Sequence, residues 1–74
     1  MSTGFLLVET QPGREADVLA LLGKVSSVTS RNLLYPANIA VKLEGAPDAI
    51  PLLAGELEHL EGVVRARLYR ARNA

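Results

Sequence analysis

Hydrophobic and polar positions alternate along several short stretches of this chain and recur at helical spacing along two others, which predicts a mixed α and β domain. The first stretch, Gly4 to Thr10, is apolar at odd and even positions alike, a pattern typical of a strand that is covered on both sides. It predicts a central strand with Phe5 and Leu7 on one face. Leu6 and Val8 would then lie on the other face.

Two segments have the spacing of amphipathic helices. The first runs from about Pro12 to Lys24, with Pro12 in the first helical turn, where its missing N–H costs nothing. The second starts near Asp48, a candidate N-terminal cap that keeps Pro51 inside the first turn, and stops at Gly62. The apolar stripes of the two helices are Val18, Leu21, Leu22 and Val25, and Ile50, Leu53, Leu57 and Leu60.

Three more strands are predicted. Residues 28–35 are β-leaning but polar, as in an edge strand, and residues 38–44 alternate cleanly, with Pro36 fixing a tight turn between them. Residues 63–70 alternate again, which predicts Val64, Ala66 and Leu68 on the covered face.

The order strand, helix, strand, strand, helix, strand predicts a ferredoxin-like α+β sandwich (βαββαβ), a four-stranded antiparallel sheet with both helices on one face. The other face would be open and partly apolar, with Ala40, Tyr69, Leu33 and Tyr35 joining the first strand there. We therefore expect dimers that form face to face or edge to edge.

Composition fits one small domain, residues 1–74, that associates with other subunits. Hydrophobic residues are 49% of the chain, and a chain of this size buries only about 60% of the surface that its unfolded form exposes. Eight basic and eight acidic residues balance, so we expect neither direct nucleic-acid binding nor membrane binding. The N-terminal apolar run is too short for a membrane span and has no basic leader, so we expect a cytoplasmic protein.

Candidate catalytic or metal-binding residues are few. His59 is the only histidine and there is no cysteine, so no ligand set for zinc is complete. His59 and the neighbouring Glu56, Glu58 and Glu61 are expected on the solvated side of the second helix. We expect no cofactor, no metal and no enzymatic activity.

Arginines are concentrated near the C-terminus, at Arg65, Arg67, Arg70 and Arg72. Arg65 and Arg67 would point the same way on a strand and could bind phosphates or carboxylates. Arginines on an edge strand also oppose aggregation and pair with glutamates, and we favour this role. RNA-binding domains of this topology stack bases on aromatic residues of the central strands, and the third strand here has none.

The segments GFLLVETQPGREADVLALL, YPAN and EGAPDAIPLLAGELEHLEGVVRARLY resemble the effector-binding domain (RAM) of the leucine-responsive/asparagine-regulator (Lrp/AsnC) transcription factors. The resemblance runs from about Thr3 to Arg70, and VETQPGRE and LEGVVRAR are its most telling parts. It implies dimers that form through the sheets, rings of dimers, and an amino-acid effector. Full regulators carry an N-terminal helix-turn-helix, so we expect the stand-alone form, without a DNA-binding domain, which could partner a full-length regulator.

The resemblance also implies where an effector would bind. In the family the turn between the second and third strands usually reads glycine, any residue, aromatic, aspartate, and Tyr35, Pro36, Ala37 and Asn38 stand at those positions here. Three of the four depart from the pattern. The predicted ligand-binding residues are Leu34, Tyr35, Ala37 and Asn38. Either Tyr35 shapes the pocket for a different effector and Asn38 binds it, or the turn is purely structural.

Two other functions stay open. One is a protein-interaction or maturation-chaperone module of the same fold, without a small-molecule ligand, that adds a partner peptide to the polar edge strand at residues 28–34. The other is an enzyme, which we disfavour because the inward strand positions are aliphatic.

Overall fold

The computed structural model describes residues 2–34 and 36–73, the last four of them by their backbone. The elements are β1 (Ser2–Thr10), α1 (Glu15–Leu22), β2 (Val28–Leu34), β3 (Asn38–Gly45), α2 (Ala49–Leu57) and β4 (Val63–Asn73). The sheet has the strand order β2-β3-β1-β4, and every neighbouring pair is antiparallel. The predicted ferredoxin-like α+β fold is confirmed.

The core lies between the sheet and the two helices. The strands contribute apolar side chains from alternate positions, and each helix contributes one apolar stripe. These side chains pack against one another, as the sequence pattern predicts. The buried hydrophobic residues are Leu6, Val8, Val18, Leu22, Ile39, Val41, Leu43, Ile50, Ala54, Leu57 and Ala66.

The central position predicted for the first strand is confirmed, since β1 pairs with β3 on one side and β4 on the other. Leu6 and Val8 are buried beneath the helices, whereas Phe5 remains 37% exposed on the opposite, open face. β2 is the outer strand next to β3, which confirms the predicted edge strand.

One residue assigned to the open face lies on the other side. Leu33 pairs with Ile39, whose side chain is in the core, so Leu33 is on the helix side of β2. Leu34, which pairs with Asn38, faces the open side instead and is 46% exposed. Tyr35, also assigned to that face, lies outside the described residues.

The alternation predicted for the last strand fails at its beginning. Glu9 pairs with Arg65 but Thr10 pairs with Val63, which leaves Val64 without a partner in a β-bulge. Val63 therefore packs against the core and Val64 is 56% exposed, the reverse of the predicted faces. One extra residue in the strand shifts every position before it to the other face.

The first helix starts later than predicted. The backbone N–H of Arg14 donates to the Gln11 carbonyl at 3.0 Å, and Gly13 has a φ of 84°. Proline followed by a glycine of positive φ is the pattern of a type II turn, so Pro12 lies in a turn and not in the helix. α1 begins only at Glu15.

The second helix begins as predicted but ends earlier. Asp48 is at the N-cap position without a side-chain capping hydrogen bond, and Pro51 lies in the first turn. α2 ends at Leu57, so His59, expected within the helix, lies in the segment that follows it. Gly62, with a φ of 90°, forms the turn into β4 and does not terminate the helix. Over the described residues, neither helix combines the length and the apolar character that crossing a bilayer would require.

Candidate functional site

Three polar residues that are distant in sequence form one row across the open face. Glu9 of β1 pairs with Asn38 of β3 on one side and with Arg65 of β4 on the other. Their neighbours Val8, Ile39 and Ala66 face the core, so the three polar side chains project from the uncovered side. Residues directly opposite one another have Cβ atoms about 5 Å apart, which brings all three within reach of one small ligand.

A shallow concavity of about 260 Å³ lies over this row. It is lined by Leu7, Glu9, Asn38, Arg65, Arg67 and Tyr69. Leu7, between Ala40 and Arg67 in the next row, supplies its apolar floor. Tyr69 lies in a second irregularity of β4, between the positions that pair with Phe5 and Leu6, and is 62% exposed.

The charged groups of the concavity are available to a ligand. Within the described part of the chain, neither Arg65 nor Arg67 forms an ion pair. Arg14 behaves differently, because its guanidinium contacts Asp17 at 2.9 Å and Glu61 at 3.3 Å. The hydrogen bond that Arg14 donates to Asp17, followed by the one that it donates to Glu61, raises the pKa of Arg14 above its ordinary value.

The residue types around the concavity favour a small molecule with a carboxylate. A guanidinium donates two parallel hydrogen bonds to a carboxylate, and Arg65 and Arg67 offer two such groups. Glu9 can accept from an ammonium or another N–H donor, and Asn38 can both donate and accept. The arrangement therefore suits a ligand with a negative and a positive group close together.

The predicted binding residues of the hairpin turn have different surroundings. Asn38 is half-buried and lines the concavity, and Leu34 is its cross-strand neighbour on β2. The carbonyl oxygen of Ala37 accepts hydrogen bonds from the backbone N–H of Thr10 at 2.9 Å and from its hydroxyl at 3.3 Å. Tyr35 lies outside the described residues. Of the predicted binding residues that the structure describes, Asn38 is the one that lines the concavity together with charged side chains.

Sequence reasoning missed Glu9 and Leu7 as members of this site. Glu9 is the one charged residue within the apolar segment Gly4 to Thr10, and this isolation was the signal that could have singled it out. That Arg65 and Arg67 point the same way is confirmed, since both line the concavity.

The other candidate residues lie away from the concavity. His59 is exposed after α2, and Glu61 pairs with Arg14. Glu58 accepts a hydrogen bond from the backbone N–H of Ala66 at 3.4 Å. Across residues 2–34 and 36–73, no three histidine, aspartate or glutamate side chains form a group that could hold a metal ion.

A second depression, of about 240 Å³, lies over the other half of the open face. It is lined by Phe5, Leu6, Ser30, Asn32, Ala40, Val41 and Lys42. Among the described residues that line it, Lys42 is the only charged one, so their chemistry is less specific than that of the residues around Glu9.

No protein-family model matches this chain, and no curated protein sequence matches it. The function proposed below therefore rests on the geometry of the site and on the resemblance noted from the sequence.

Proposed function

We propose that the protein is a non-enzymatic module that binds an amino-acid effector and forms oligomers in the cytoplasm, like the effector-binding domain of the Lrp/AsnC regulators that its sequence resembles. The observation that carries the proposal is the row of Asn38, Glu9 and Arg65 on the open face. An amino acid has the two charges that this row complements.

The ligand's carboxylate would bind Arg65 and Arg67, and its ammonium group would bind Glu9. Asn38 would hydrogen-bond to either group. Leu7 and Tyr69 would contact the ligand's side chain, whose size is limited by a concavity of about 260 Å³. The site is open on one side, and a second subunit placed over the sheet would exclude water and strengthen these charge interactions.

Oligomer formation is supported by the apolar residues of the same face. Phe5, Leu34 and Tyr69 are each more than one-third exposed there. Covering such side chains is favourable by about 25 cal/mol for each Å² of apolar surface buried. A sister subunit is the partner that the resemblance implies, either as a dimer or as a ring of dimers, and a full-length DNA-binding regulator is a further candidate partner.

Isothermal titration calorimetry with a panel of amino acids tests the proposal. We expect at least one to bind, and the double substitution of Arg65 and Arg67 to Gln to weaken it about tenfold or more, because both charge-assisted contacts are lost. The matched control substitutes Lys24 and Arg31, both exposed and outside the concavity, to Gln, with the same change in charge. Absence of binding by every amino acid, or equal weakening by the control, would refute the effector site.

A further inference from the structure

The outer edge of β4 is the longest open edge of the sheet. β4 spans 11 residues, and its neighbour in the sheet is β1. Within it, the two irregularities at Val64 and Tyr69 enclose a regular stretch from Arg65 to Leu68. An edge of this kind presents N–H and C=O groups to which another strand can bond.

One of these edge groups already binds a carboxylate. The backbone N–H of Ala66 donates to Oε2 of Glu58, the residue that caps the C-terminus of α2, at 3.4 Å. Ala66 is paired with Val8 on β1. Because its N–H bonds to Glu58 and not to β1, this N–H points outward from the free edge of β4. Glu58 therefore occupies the position where the carbonyl oxygen of an added strand would accept.

The charge of β4 determines which strand could be added. Its sequence, VVRARLYRARN, contains four arginines and no acidic residue. Pairing with a second β4 would bring arginines close together, which is unfavourable. An acidic segment would instead have its carboxylates at alternate positions, facing the exposed Arg65 and Arg67.

The β2 edge, the position expected from the sequence for strand addition, is less suited to such a partner. Arg31 is the one charged residue of β2. Its guanidinium lies against α1, since a Cβ added at Gly23 would be 2.9 Å from Nη2 of Arg31. That contact draws the cation away from the strand's edge.

We propose that the β4 edge binds an extended acidic segment of a partner protein, which adds to the sheet as a fifth strand, and that Glu58 is its intramolecular competitor. The segment's backbone displaces the Glu58 carboxylate from Ala66. Its acidic side chains bind Arg65 and Arg67 on the open face. The partner is recognised by its charge and extended conformation, and it would compete with an amino-acid effector for Arg65 and Arg67.

Fluorescence anisotropy with a labelled peptide of alternating Val and Glu tests this surface. We expect the acidic peptide to bind. A peptide of alternating Val and Gln of equal length should bind at least about tenfold more weakly, because the charge-assisted contacts are missing. Glu58→Ala should tighten binding of the acidic peptide about fivefold by removing the competing hydrogen bond. Glu56→Ala is the matched control, since Glu56 is an exposed residue of α2 and its loss changes the charge equally.

Three outcomes would overturn the proposal. Equal tightening by Glu58→Ala and Glu56→Ala would mean that general electrostatic attraction holds the peptide. Tighter binding of a single-stranded oligonucleotide than of the acidic peptide would assign the arginines to nucleic acid. Stronger self-association of the Glu58→Ala protein than of the wild-type and Glu56→Ala proteins in sedimentation would mean that the edge accepts a second copy. Hydrogen exchange gives an independent measurement, because the Ala66 amide should exchange more slowly in the peptide complex. No amino acid is present in these experiments, so their failure leaves the effector site standing.

Discussion

Thr10 donates two hydrogen bonds to the carbonyl oxygen of Ala37, from its backbone N–H at 2.9 Å and from its hydroxyl at 3.3 Å. Thr10 is buried at the end of β1, and Ala37 lies in the turn between β2 and β3. The two bonds fasten this turn to the central strand, next to the concavity that Glu9 and Asn38 line.

Replacing Thr10 by Val, which keeps the shape but removes the hydroxyl, should lower the free energy of unfolding by about 1 kcal/mol. Chemical denaturation monitored by circular dichroism measures the change. Thr29→Val is the control, because the Thr29 hydroxyl donates to the Lys42 carbonyl at the same 3.3 Å distance from an exposed position. A larger loss at Thr29 than at Thr10 would contradict the importance of the buried bond.

Gly62→Ala should destabilise the protein by about 2 kcal/mol or more, because the residue has a φ of 90° and its added Cβ would lie 3.0 Å from Cγ2 of Val18. Gly13→Ala shares the backbone conformation, with a φ of 84°, but its Cβ would meet no atom within 4 Å. Gly13→Ala should therefore lower the free energy of unfolding by only about 1 kcal/mol, which comes from the strained backbone conformation alone. Equal midpoints for the two variants in thermal unfolding would show that the contact with Val18 is readily relieved.

Gly55→Ala should raise the free energy of unfolding by about 1 kcal/mol, the difference in helix propensity between the two residues. Gly55 is exposed in α2, and a Cβ there would meet no atom of the described residues within 4 Å beyond its neighbours in the helix, so no described segment of the same subunit requires the glycine. A glycine inside a helix can also mark the close approach of another segment. A less stable variant, or one with a smaller assembly mass in solution, would mean that another subunit makes such an approach.

Val63→Ala should lower the free energy of unfolding by about 1 to 2 kcal/mol. Val64→Ala should change it by less than about 0.5 kcal/mol. The two substitutions remove the same atoms, so any difference reports which valine packs against the core. Urea denaturation of both variants measures it. A greater loss at Val64 would place the bulge elsewhere in β4.

Phe5→Glu should weaken self-association, because it places a charge in the apolar part of the open face. Leu52→Glu is the control on the opposite layer, since Leu52 is 69% exposed on α2. Sedimentation velocity over a range of protein concentrations compares the two variants. A wild-type protein that remains a monomer throughout would refute the oligomer.

The regular parts of the fold could be predicted because their periodicity is local. The alternation of Ile39, Val41 and Leu43 determines the buried face of β3, and all three are in the core. The bulge at Val64 could not be predicted, because alternation continues smoothly through VVRARLY and the extra residue appears only when Thr10 pairs with Val63. Where two local patterns competed, as at Pro12, the turn formed with Gly13 prevailed over the helix start.

The candidate site was harder to predict than the fold, because its members come from three strands. Asn38 was singled out through the hairpin turn, and Arg65 and Arg67 through their number and spacing. Their association with Glu9 depends on the register of β1 against both neighbours, which no single segment encodes.

The position of β1 between β3 and β4 also fixes where the ends of the domain emerge. Ser2 pairs with Asn73, so both ends leave the sheet side by side. At about 3.3 Å for each residue of a strand, Ser2 lies roughly 23 Å from Glu9. A tag or a fused domain attached at either terminus would therefore project from the far rim and leave the mouth of the concavity unobstructed.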